Sequence, residues 1–192
     1  MDVIQLLKKD HKMVKSLFEE FEKLKGNAAQ KKLDLVKQIT QALTVHAQVE
    51  EELVYPTFTE HRSMKEGICE AFEEHHVTKM FLSELDAMQP GGERYDAKVK
   101  VLCEYLMHHV KEEEKEIFPE AQKRLSAKRL SALGEEVEAR RSELMAGNEG
   151  NNKREKEDLR DEEMEEIEDM EQDNEYRQGD RGKGQRNRQH AA

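Results

Sequence analysis

His46-Ala47-Gln48-Val49-Glu50-Glu51-Glu52-Leu53-Val54-Tyr55-Pro56 is matched, further along the chain, by His109-Val110-Lys111-Glu112-Glu113-Glu114-Lys115-Glu116-Ile117-Phe118-Pro119. In each, a histidine is followed four residues on by a glutamate, then by a second glutamate, then by an aromatic-proline pair at the same distance. Residues four apart on a helix lie about 40° apart around its axis, one turn along. His46 and Glu50 therefore reach toward one point, as do His109 and Glu113. Each proline removes a backbone N–H and disturbs the helix just beyond the pair.

A second correspondence flanks the first. Asp10-His11 and Glu74-His75 open two further amphipathic stretches, and aligning them also aligns Lys15 with Lys79 and Phe21 with Leu85. The chain reads as a duplicated helical hairpin. The apolar residues Ile4, Leu7, Val14, Leu17, Phe18, Phe21 and Leu24 recur at spacings of three and four and predict a helix over Val3–Lys25, ended by Gly26-Asn27. Similar patterns predict helices over Ala29–His61, Met64–Met88 and Tyr95–Leu125, with Gln89-Pro90-Gly91-Gly92 as a strong stop. No stretch alternates with period two. The fold class is all-α, an antiparallel up-down four-helix bundle, since short links join antiparallel neighbours. A short fifth helix over Ala127–Met145 is expected to pack outside it. Residues 1–146 form the domain, and 147–192, nearly all charged and then rich in Gly, Arg, Gln and Asn, read as a disordered charged tail.

Four helices thus aim His11, His46, His75 and His109, with Glu50 and Glu113, at the bundle centre. Imidazole nitrogen with bridging carboxylate suits iron, and dimetal carboxylate centres occur in bundle cores. One His-x-x-x-Glu means little in a chain with 43 acidic residues. Two copies in matching context, with two more histidines at matching places, are hard to reach by accident. His76 and His108 adjoin the proposed ligands but are turned from them by about 100°; the repeat alignment favours His75 and His109. Glu51 and Glu114 suit the distal N–H groups of the histidines or plain solvation. Tyr55, Tyr105 and Phe118 read as core, as do Met80, Met88 and Met107. Cys69 and Cys103 form no CxxC unit and read as small buried residues.

At these residues the chain resembles the hemerythrin-like, HHE cation-binding domain family. The resemblance runs from Met1 to Met145 and rests on Asp10-His11, on His46 to Glu52 with Tyr55-Pro56, on Glu74-His75-His76 and on His108 to Glu114. It implies a four-helix bundle around two oxo- or hydroxo-bridged non-haem irons. Terminal ligands would be His11, His46, His75 and His109, and bridging carboxylates Glu50 and Glu113. The oxygen-carrying hemerythrins have another ligand histidine where this chain has Lys79, so the resemblance carries the metal site without the carrier role.

The net charge of −11 speaks against a nucleic-acid partner, which needs a basic footprint. No apolar run approaches membrane-spanning length, and Met1-Asp2-Val3-Ile4-Gln5 does not open a signal peptide, so a cytoplasmic protein is expected. The expected function is binding of, or reaction with, a small diatomic or peroxide ligand (oxygen, peroxide or nitric oxide) in sensing or stress protection. Iron storage or handling is the alternative, with the acidic tail as a site for a protein partner. A helical interaction module without metal is the third.

Overall fold

The computed structural model describes residues 1–25 and 28–147. Helix α1 spans Val3–Lys23; Asp2 caps it, its carboxylate accepting from the Gln5 backbone N–H at 2.8 Å. Helix α2 spans Ala29–Val49 and passes through a π-helical turn, Glu50–Val54, into the short α3, Tyr55–Thr59. A 3₁₀ turn at Arg62–Met64 leads into α4, Lys65–Asp86. Helix α5, Glu93–Glu112, likewise passes through a π turn, Glu113–Ile117, into α6, Phe118–Arg124. Helix α7 covers 127–147. The Gly26-Asn27 stop lies outside the described residues, and so does nearly all of the expected tail. The predicted stop after the third helix is present, with Gly91 at φ +86° in the turn.

Where the sequence predicts two long continuous helices, each carries a π turn. The cause is the proline. Pro56 and Pro119 offer no N–H to the preceding turn and their rings crowd it. The backbone widens instead: the Tyr55 N–H reaches the Glu50 carbonyl and the Phe118 N–H reaches the Glu113 carbonyl, both five residues back.

Helix α1 pairs with α2 and α4 with α5, while α1 also meets α5 and α2 meets α4, closing a four-membered bundle. Two apolar cores fill its ends. One gathers Val14, Phe18, Phe21, Ile39, Leu43, Leu82, Val99 and Leu102; the other gathers Ile4, Leu7, Val49, Val54, Phe58, Ile68, Ile117 and Phe118. On each of the four long helices the proposed histidine lies in sequence between the two sets, so a polar layer has hydrocarbon above and below it.

Helix α7 is more than an outer appendage. Leu130, Leu133 and Val137 are buried in the second core beside Val3 and Ile4. A Cβ at Gly134 would meet the Met1 carbonyl oxygen at 2.4 Å, so glycine is what lets the helix approach the start of the chain this closely. Two readings are corrected. Cys69 is exposed rather than buried, and Met80 is exposed rather than core. Both lie on the outer face of α4, where their apolar character misleads about position. Among the described residues no helix is long and apolar enough to cross a membrane.

Candidate metal centre

All six expected ligands point into the polar layer and are buried. His11, His46, His75 and His109 are at most 5% exposed, and Glu50 and Glu113 are fully covered. By contrast His108 is exposed and pairs with Glu112, and His76 is exposed, so the repeat alignment chose the inward register. Ligand atoms of His11, His46, Glu50 and Glu113 lie within 4.8 Å of one another, as do those of Glu50, His75 and His109. Glu50 belongs to both groups. Its Oε2 stands 3.2 Å from His46 Nε2 and 3.3 Å from His75 Nε2. Glu113 Oε2 stands 3.2 Å from His11 Nε2 and 3.5 Å from His109 Nε2.

The far nitrogen of each imidazole faces a carboxylate from the neighbouring helix. His11 Nδ1 meets Glu114 at 2.9 Å, His75 Nδ1 meets Glu51 at 3.0 Å and His109 Nδ1 meets Glu74 at 2.7 Å. His46 Nδ1 is held more loosely, 3.5 Å from Asp10, which Arg141 of α7 also grips. Such partners fix ring orientation and leave Nε2 free to ligate. Glu51 and Glu114 fill the role the sequence allowed them. Asp10 and Glu74 were legible only as part of the repeated acidic-His pairs, without a role. Lys79 does not enter the layer: it is half-exposed and bonds Glu51 at 2.7 and 2.8 Å, behind His75.

Sequence reading placed Tyr55 in the core and missed what its hydroxyl does. The side chain is fully buried, and its OH donates to Glu113 Oε1 at 2.9 Å while lying 3.3 Å from His75 Nε2 and 3.4 Å from Glu50 Oε2. The π turn explains this. Five residues along an α-helix would turn Tyr55 about 140° from Glu50; the wider turn stacks it nearly above. The repeat-mate Phe118 stacks on His11 at 5.8 Å but has no hydroxyl. The only signal was one oxygen's difference between Tyr55-Pro56 and Phe118-Pro119, and it makes the two halves of the layer chemically unlike.

The donor set fits metal cations. His11 Nε2, His109 Nε2, Glu50 Oε1 and Glu113 Oε2 are buried without a hydrogen-bond partner, and each is a nitrogen or oxygen suited to ligation. Without a cation, protons take its place. Burial alone would lower the His11 imidazole, but Glu113, Glu50 and Glu114 outweigh it and raise it to about 9. His75 likewise stands at about 9, where Glu50 and Glu51 outweigh burial. Glu113 is pushed well below the usual carboxylate range, because His109, His11 and His46 outweigh burial. Burial and the two carboxylates push the Tyr55 phenol far up, so it stays a hydrogen-bond donor.

Against known proteins, the hemerythrin HHE cation-binding domain matches residues 2–121, which hold all six of these side chains. The chain belongs to the hemerythrin HHE family. A crystal structure of a hemerythrin HHE cation-binding domain-containing protein from Mycobacterium kansasii shares the fold, with a TM-score of 0.68 and 22% identity over 77% of this chain and 89% of that one. A protein named DNA nickase from Nostoc sp. is 29% identical over 145 residues. These cover 75% of this chain, which spans only 40% of that relative's length. As an HHE-domain chain this is a cation-binding helical protein.

Proposed function

We propose that this chain holds two non-haem irons, one against His11 and His46 and the other against His75 and His109, with Glu50 and Glu113 between them, and that it uses them on a small ligand such as oxygen, peroxide or nitric oxide. The observation that carries the reading is the pair of fully buried carboxylates, each facing imidazoles from two different helices. Bound there, the irons would supply redox chemistry and open coordination positions for a small ligand. The chain's own residues do the rest. Asp10, Glu51, Glu74 and Glu114 orient the imidazoles, and the two apolar cores keep bulk water from the layer. Tyr55 offers a proton donor on the His75 side only. Lys79 is engaged by Glu51 and supplies no seventh ligand, which supports ligand chemistry in sensing or stress protection over oxygen carriage. The net charge of −11 supports a small ligand over nucleic acid, so the relative's nickase name is not carried over.

The test is anaerobic loading with ferrous iron, followed by mixing with oxygen, peroxide and nitric oxide while the visible spectrum is recorded. Two irons per chain and a rapid spectral response to at least one ligand are expected. Iron near zero after careful reconstitution would falsify the reading.

A further inference from the structure

Between α4 and the helix built from α5, its π turn and α6 lies a cavity of about 430 Å³. Its lining is acidic and graded in depth. Glu66, Glu70 and Glu116 are exposed at the outside, Glu112 is half-buried, Glu74 is buried, and Glu113 at the inner end is fully covered. No lysine or arginine contributes to the lining.

Exposed glutamates on helices are ordinarily just solvated, and a row of them carries no meaning alone. Two further observations separate this row from others on the molecule. Glu113 lines the cavity and is also part of the metal layer, and its buried Oε2 has no hydrogen-bond partner. Two of the lining residues, Glu74 and Glu112, bring ligand atoms within 4.8 Å of one another and of exposed His108, whose Nε2 stands 3.0 Å from Glu112. That is a nitrogen-oxygen donor set outside the six ligands, reaching from exposed His108 through half-buried Glu112 to buried Glu74. The metal layer, with hydrocarbon above and below it, needs a lateral entrance. A cleft lined by one sign of charge concentrates the opposite ion and speeds its arrival by about 10- to 1,000-fold.

We propose that this cleft is the entry route for ferrous iron, with Glu74, His108 and Glu112 as a transit station on the way to Glu113. The proposal rests on the metal centre argued above and adds the path by which it is filled. The experiment follows anaerobic uptake of Fe²⁺ by the metal-free full chain, sampled in time with a coloured ferrous chelator, and then measures final iron per chain. The variant E66Q/E70Q/E116Q removes three exposed charges and no proposed ligand. Its initial uptake at low ionic strength is expected to be roughly tenfold slower than wild type, with the same final iron content. His108→Ala is expected to slow uptake in the same direction. Raising salt is expected to slow the wild type toward the triple variant. E20Q/E93Q/E135Q, which removes the same charge from exposed sites outside the cleft, is expected to keep the wild-type rate. If the wild type fills with iron and the cleft variant fills as fast, or the distant variant slows as much, the route is refuted while the metal centre stands. If the wild type takes up no iron, the metal centre itself is refuted.

Discussion

On the proposed reading, filling the site with iron must expel the protons that His11 and His75 hold. His11 and His75 each sit at about 9 against an ordinary value of 6.5, so at pH 7 both carry a proton in the metal-free chain. Ligation needs both Nε2 lone pairs, so about two protons leave as two irons bind. The product of the two binding constants should then rise about 100-fold per pH unit between 7 and 8, or about 2.7 kcal/mol at about 1.36 per proton, and level off above about 9. Stability of the metal-free protein runs the other way. A raised imidazole stabilises the fold fully below 6.5 and loses that contribution as pH rises through 9. Glu113, held well below the usual carboxylate range by His109, His11 and His46, shares only the His11 attraction with these two, and its own contribution is present above the ordinary carboxylate range and is lost as pH falls. The assay adds Fe²⁺ anaerobically to weakly buffered protein with an indicator dye, and repeats a chelator competition from pH 6.5 to 9. Proton release near zero at pH 7, or an affinity flat across that window, would refute the description of the metal-free layer as a histidinium-carboxylate cluster.

Glu50 and Glu113 each face imidazoles on both sides of the layer. Glu50→Ala or Glu113→Ala should therefore empty both positions, while His11→Ala should keep partial occupancy; elemental analysis giving the opposite order would count against a bridging role. Tyr55→Phe leaves Glu113 Oε1 without its buried donor and should cost the metal-free protein about 1–3 kcal/mol in urea denaturation; an unchanged midpoint contradicts that bond. Ending the chain after residue 147 should leave helicity and iron content intact. Ending it after Leu125 removes Leu130, Leu133 and Val137, worth about 1.5–3 kcal/mol each against a total of about 5–15 kcal/mol, and should leave circular dichroism of a largely unfolded chain.

The parts legible in the sequence were those governed by spacing within one helix. Four residues from His46 to Glu50, and from His109 to Glu113, fix a shared face whatever the neighbours do. The duplicated context then selected His11 and His75 from eight histidines. What escaped depends on phase or on neighbours. The π turns shift every residue beyond Glu50 and Glu113 relative to an α-helical reading, which is why Tyr55 passed for core. Asp10 and Glu74 are turned about 100° from the histidines they precede, so each serves the next helix, and no intrahelical rule identifies which of 43 acidic residues does so. The grip of Arg141 on Asp10 joins residues 131 apart and leaves no trace in local pattern.

The carboxylate contacts to the imidazoles run in a ring: Asp10 of α1 to His46 of α2, Glu51 beside α2 to His75 of α4, Glu74 of α4 to His109 of α5, Glu114 beside α5 back to His11 of α1. Each hairpin holds one of these contacts internally and offers one to the other. Exchanging the hairpins maps each contact of the ring onto its repeat-mate, with Asp10 answering to Glu74, Tyr55 to Phe118, and Arg141 of α7 gripping Asp10. In connectivity the bundle is two like hairpins joined through residues 60–64, a link that supplies no proposed ligand. Such a tether acts as a concentration, of millimolar order for a short linker. Two separately made hairpins, 1–61 and 62–147, hold every group the layer requires, and mixed at high enough concentration they should rebuild it without the link.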